Sequence, residues 1–462
     1  MTPRRRNLLL VALLTAAVGV SGCSTVGRLN PFKGKSPPKE VAEGQRISIV
    51  PQDQVLAPAE ALKGVGFELP TPTRIADWPL PGGTLDQDVE NVDAAPDLSI
   101  AWRRGIGQGT NRAVHITAPP IVADGRIYTM DAEAGVEAHD ARTGEQVWRT
   151  NLGSNDHRGD RVAFGGGLAF ADGRIYVTSG FRFVAALDAA TGRVVWRTPT
   201  DEPIHAAPTV TEGRVIAVAL DNSLLTFDAA NGTPGWTYQA LSEPARILEA
   251  SSPAVEGETV VASFGSGELV ALRAANGNDL WQEALSRASP TSSLSEIRDI
   301  PGRPVIYRGD VFAVSHSGVF SSTDLRTGQT RWSLPVVGIT TPLPAGDVVY
   351  VVSKTGQLIC AARDSGQIYW IRDLNTGYKA HREGGLFGLF SHESIAPLWT
   401  SPLLANNRLL IASSTGELVS VDAHTGQVQK RVQIGAPVLL SPIAAGDMVY
   451  LVTDNAQLIA LH

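Results

Sequence analysis

The stretch Leu187-Asp188-Ala189-Ala190-Thr191-Gly192-Arg193-Val194-Val195-Trp196 decides the fold. It reads as the end of one strand, a tight turn, and a second strand that closes on a Trp. Val, Leu and Trp favour strands, and Asp-x-x-Thr-Gly supplies the turn. The phrase recurs at Asp140 to Trp148, Asp228 to Trp236, Arg273 to Trp281, Asp324 to Trp332 and Ala362 to Trp370. Asp422 to Lys430 is a degenerate last copy, and Trp102 stands at the front with no turn before it. The spacing runs from roughly 38 to 60 residues, the range of four-stranded blades with loops.

A second landmark lies upstream of each turn. It is a hairpin glycine inside an apolar run, as in Ile121-Val122-Ala123-Asp124-Gly125-Arg126-Ile127-Tyr128. The equivalents are Gly173, Gly213, Gly257, Gly309, Gly346, Asn407 and Gly446. Asn is the substitution that best tolerates a left-handed backbone. Eight hairpins imply eight repeats. The last one stops at Gln457 to His462 without an outer strand, whereas Leu98 to Arg103 is an outer strand without a blade. Pairing the two closes a ring and removes the sheet edges of a linear array. The expected fold is therefore all-β, an eight-bladed β-propeller closed by its N-terminal outer strand.

The repeated Trp is best read as packing between blades. Burying its 150–250 Å² contributes about 4–6 kcal/mol each as an upper bound. An aromatic ligand cage would be unique to one site, not repeated around a ring.

Composition narrows the function. The net charge is −7, and loss of Arg4, Arg5 and Arg6 with a leader makes it more negative still. No basic stripe crosses the repeats, so nucleic acid is excluded as a natural partner. The two cysteines, Cys23 and Cys360, form no zinc or haem motif, and Cys360 lies in an apolar strand. The nine histidines are scattered with no local ligand set. No nucleophile elbow or phosphate-binding loop occurs, and Lys354-Thr355-Gly356 is a repeat turn rather than an enzyme signature. No cofactor and no metal site is expected.

Three domains follow from the N-terminus onward. Residues 1–22 form a signal peptide, with a basic start and an apolar stretch, Leu8 to Val18, too short to span a bilayer. It ends at Val20-Ser21-Gly22-Cys23, which resembles the lipobox of bacterial lipoproteins; Cys23 is the expected acylated residue, giving membrane attachment through lipid. Ser24 after it implies export to the outer membrane. Residues 23–96 are Pro-rich and read as a tether, spanning on the order of 40 Å for fifty residues. Within it, Trp78 is expected to pack on the ring. The propeller occupies 97–462.

Four segments break the repeat and are the places to look for binding. They are Asn155 to Asp160, which includes His157; Ala245 to Glu249; Ser295 to Pro301; and Tyr378 to Trp399, with Gly384-Gly385-Leu386-Phe387-Gly388-Leu389-Phe390.

The Asp-Ala-x-Thr-Gly-x-x-x-Trp repeats resemble those of quinoprotein alcohol dehydrogenase-like propellers. With the lipobox, the Pro-rich tether, Gly165 to Gly173 and Ser295 to Pro304, the chain resembles the BamB family of outer-membrane-protein assembly lipoproteins. That resemblance implies a non-enzymatic scaffold at the periplasmic face of the outer membrane. Its implied partners are BamA, the other lipoproteins of the barrel-assembly (BAM) complex, and unfolded barrel precursors. It also implies contact residues. Asp299 falls on a BamA-binding Asp, with Arg298 beside it; Arg246, Ile247 and Leu248 fall near an apolar-Arg contact segment. Pro301 stands where the family has a second acidic residue. The alternative is a dehydrogenase carrying pyrroloquinoline quinone and calcium, with an Asp base and, in many members, a disulfide between adjacent cysteines; this chain has no such pair. A third reading is an envelope lipoprotein that binds another ligand such as peptidoglycan.

Overall fold

The structure, a computed structural model, describes residues 56–153, 164–242, 251–286, 297–378 and 396–462, with the backbone of 382–383 and 392–393. Among them are eight four-stranded antiparallel sheets. Blade 1 consists of Ile121–Ala123, Arg126–Met130, Gly135–Asp140 and Gln146–Asn151, named a to d from the axis outward. Blades 2 to 7 repeat it, with a strands at Gly166–Ala171, Thr209–Thr211, Ala254–Glu256, Val305–Tyr307, Leu343–Ala345 and Leu403–Ala405. In blade 8, Ile443–Ala445, Met448–Val452 and Gln457–Leu461 take Ile100–Gly105 as the fourth strand, with Trp102 opposite Ala460.

The hairpin landmarks carry the backbone the sequence asks for. The seven glycines and Asn407 have φ between 57° and 81°. In five hairpins the residue before is also left-handed (Asp124, Asp172, Glu212, Arg308 and Asn406), the type I′ geometry that matches strand twist. In the c–d turns the Asp side chain holds the loop: Asp188 Oδ1 accepts from Thr191 N at 2.9 Å and from Thr191 Oγ1 at 2.6 Å. Those bonds hold the Asp188 carboxyl below its usual range.

Each repeated Trp reaches the next repeat as well as its own. Trp102, Trp148, Trp196, Trp236, Trp281 and Trp332 donate from Nε1 to a carbonyl in the c–d turn of the following blade, as in Trp196 to Ala229 O at 3.0 Å. The turn glycine lies flat on the ring. A Cβ at Gly232 would sit 2.5 Å from Trp196 Cε3, and its φ of 75° already disfavours a side chain. Gly and Trp in the motif are therefore two halves of one joint, supplied by adjacent blades. The Lys430 exception has a reason. Blade 8 has no c–d turn, because its outer strand comes from the other end of the chain. Lys430 Nζ instead donates to Asp97 O at 2.6 Å.

The apolar alternation predicts one buried face per strand. Strands b and c are instead buried on both faces; Val348, Val349, Tyr350, Val351 and Val352 are all fully buried. A blade is sandwiched between two neighbours, so only its outer strand alternates, as in Gln146–Asn151. Cys360 is likewise fully buried, and burial pushes its thiol up, the behaviour of an inert core residue.

Residues 56–96, expected within the tether, belong to the same compact unit as the ring. They run along the inner strands and satisfy free backbone groups there. Trp78 pairs with Val122, Pro79 O accepts from Phe170 N, Leu85 O from Val255 N, Asp86 O from Ile306 N, and Val92 joins Leu404 and Asn406. Trp78 is buried, with Nε1 bonded to Pro81 O at 3.1 Å. This strap closes the a–b end of the axial channel.

Asp88 in the strap is buried, and burial together with Asp86 and Glu90 raises its carboxyl pKa well above normal. A raised folded-state pKa means stability is full below the unfolded value and falls as pH rises through the folded one. Asp88→Asn should therefore raise the melting temperature by a few degrees at pH 7 to 8, with the gain vanishing near pH 4. Melting curves of both proteins across that range check it.

Candidate functional site

Antiparallel blades sort their connections to two ends. The a–b and c–d turns lie at the strap end. The b–c turns and the connections from each d strand to the next a strand lie at the other. All four repeat-breaking segments fall in d-to-a connections, following Asn151, Gln239, Ala284 and Asp373. The strand ends that precede them lie at one end of the ring. Exposed apolar side chains mark the same end: Leu241, Val337, Leu398 and Leu439, of which Leu241 is 66% exposed.

Of the sequence-predicted contact residues, the structure describes Arg298 and Asp299. Arg298 is exposed. Asp299 is 2% exposed, and its carbonyl accepts from His316 N at 2.8 Å. Ile300 N reaches Phe264 O at 3.4 Å. The loop is thus pinned to blade 4 on one side and blade 5 on the other. His316 in turn meets Lys354, Nε2 to Nζ at 2.7 Å. Burial and the Lys354 charge lower the His316 pKa, so the neutral imidazole accepts from the ammonium. Cys23, Arg246, Ile247 and Leu248 lie outside the described residues, as does the His157 segment.

The same end opens into an axial cavity of about 660 Å³. Its wall is an eightfold series that motif searching overlooks, the residues just before each inner strand. These include Thr117, Phe164, His205, Ser252, Arg303, Thr341, Ser401 and Ser441. In seven blades the entry to strand a carries a Pro (Pro120, Pro208, Pro253, Pro304, Pro342, Pro402 and Pro442), a signal visible in the sequence once the repeats are aligned. Pro81 of the strap also lines the cavity and is buried. Backbone bonds lock neighbouring blades together here: Arg303 N donates to Thr341 Oγ1 at 3.1 Å, and Thr341 N to Ser401 Oγ at 2.7 Å. The glycine run of blade 2 serves the same closeness; a Cβ at Gly165 would sit 2.6 Å from Thr117 Oγ1.

A calcium-held quinone of the dehydrogenase kind needs clustered acidic ligands. Among the described residues no three His, Cys, Asp or Glu side chains converge. Among the described residues the cavity wall carries one carboxylate, Asp454, already engaged by Thr110 Oγ1 at 2.5 Å. These residues do not fit that group.

The family model described as outer membrane protein assembly factor BamB matches residues 132–372 and 384–462. The BamB of Burkholderia pseudomallei is 26% identical over 343 residues, covering 69% of this chain and 87% of that protein. The BamB of Alkalilimnicola ehrlichii is 29% identical, covering 81% and 91%. Among solved structures, BamB from Moraxella catarrhalis superposes with a TM-score of 0.62 at 16% identity, over 78% of this chain and 99% of that one. A quinohemoprotein alcohol dehydrogenase from Comamonas testosteroni does so at 0.63, also at 16% identity, over 84% and 80%. Likenesses at that identity show the shared ring alone. The sequence matches go further: the chain belongs to the BamB family of outer membrane protein assembly factors.

Proposed function

We propose that this protein is a lipid-anchored, non-catalytic scaffold of the barrel-assembly machinery. Cys23 carries the lipid and holds the ring at the periplasmic face of the outer membrane. The ring binds BamA, works beside the other BAM lipoproteins, and offers a surface to unfolded barrel precursors. One observation carries this reading. The strands that precede the breaks in an otherwise regular repeat finish at one end of the ring, and that end exposes Arg298 as well as Leu241, Val337, Leu398 and Leu439. An exposed Arg beside Leu and Val is the composition of an interface centre.

Within this interface Arg298 is the contact, joined by Arg246, Ile247 and Leu248. Asp299 belongs to the same contact by its place in the loop, which its backbone carbonyl ties to His316. Arg298→Glu should weaken capture of BamA by at least tenfold while the melting transition stays put, because the side chain is exposed. Co-isolation from gently solubilised envelopes, with the melting curve beside it, measures both. Undiminished capture would remove Arg298 from the interface.

A further inference from the structure

Among the described residues Arg303 is the one Lys or Arg in the wall of the axial cavity. It stands at the entry to the inner strand of blade 5, where Gly302 packs tightly on the backbone of Thr340. Its backbone N–H is satisfied by Thr341. Its Nε is buried and has no hydrogen-bond partner, and among the described residues no carboxylate pairs with the guanidinium. Burial alone pushes its pKa down to about 10, with no neighbouring charge acting on it, so it remains a cation at neutral pH. The side chain as a whole is partly buried, with Nε out of reach of water; a partly desolvated charge without a counter-charge is costly, and an anion would supply the missing partner.

The far wall has a different chemistry. His115 precedes blade 1, across the ring from blade 5. It meets Phe164 edge-on at 5.0 Å, and Phe164 stacks on His205 at 4.6 Å. The rest of the wall mixes hydroxyls, among them Thr117, Ser252 and Thr341, with apolar side chains such as Ile116, Ala206, Ile339 and Leu440. The volume lies within the 300–1,000 Å³ typical of sites for small organic molecules and far exceeds what a lone inorganic ion fills.

We propose that the axial cavity binds a small organic carboxylate, with the Arg303 guanidinium as its charged contact and the Phe164 group receiving its flat or apolar body. The guanidinium fork matches a carboxylate in two parallel hydrogen bonds. Pro301, at the end of the Arg298 loop, borders the cavity, but Arg298 is not part of its wall, and the proposal does not rest on BamA binding.

The test is calorimetric titration of the full-length protein in detergent with three probes. 2-Naphthoate carries charge and ring, 2-naphthamide the ring alone, and acetate the charge alone. The expected result is saturable 2-naphthoate binding with Kd of about 1 mM or tighter, and at least tenfold weaker binding of the other two. Arg303→Gln should abolish the preference for 2-naphthoate, Arg303→Lys should restore part of it, and Arg303→Gln should melt no lower than the parent. If Arg303→Gln does not fold, the probe comparison on the unaltered protein decides. Equal binding of naphthoate and naphthamide, absence of saturable naphthoate binding, or undiminished naphthoate binding by Arg303→Gln would each overturn the proposal.

Discussion

Trp196→Ala should lower the stability of the ring by about 4 kcal/mol and its melting temperature by roughly 5 to 10 °C. Trp196 is 9% exposed and sits in a core with Tyr176, Val210 and Phe227. Removing its ring leaves a void on the face of Gly232 and orphans the Ala229 carbonyl. Truncating a buried Trp costs about 3–5 kcal/mol, and an unmade hydrogen bond adds to that. Lys430→Ala is the internal comparison. It occupies the same place in the motif but offers one exposed bond to Asp97 O, so its loss should cost under about 1 kcal/mol. Denaturant unfolding of both variants measures the difference. Similar costs for the two would mean that the Trp–Gly joints do not hold the blades together.

A larger effect is expected from deleting Gln457–His462. Leu458, Ile459, Ala460 and Leu461 are fully buried. Their strand lies between Met448–Val452 and Ile100–Gly105, so its loss also releases Trp102 from the blade 1 turn. Each large apolar side chain removed from a core costs about 2–5 kcal/mol, so the three here cost about 6–15 kcal/mol, as much as the 5–15 kcal/mol by which a typical domain is stable. The shortened chain should lose its cooperative melting transition and become sensitive to protease throughout. A cooperative transition within a few degrees of the parent would show that the ring does not depend on this closure.

The repeat was legible because its signals are local. A left-handed φ at Gly125 or Asn407 and the Asp188 cap on Thr191 are settled by residues within a few positions of one another. The strap was less legible. Its residues show little periodicity, since they pair one by one with different blades instead of forming strands of their own. The same limit applies to the contact loop. Arg298 and Asp299 are adjacent polar residues that look alike in the sequence, yet one is exposed and the other buried. That difference is made by Phe264 and His316, which reach the loop from two separate blades. Arg303 carried no motif at all; its interest comes from the partners it lacks.

By itself, then, the sequence determined the number of blades, the chemistry of their turns and the position of the Trp in each outer strand, because backbone dihedrals and strand preference act over a few residues. Only the tertiary structure decided that each Trp rests on the next blade's glycine and that the strands preceding the repeat-breaking segments finish at one end. It alone decided that the strap bonds to the inner strands and that Arg303 lines a cavity with no carboxylate paired to it among the described residues. Those relations join residues tens to hundreds of positions apart, and they exist only once the ring has brought those residues together.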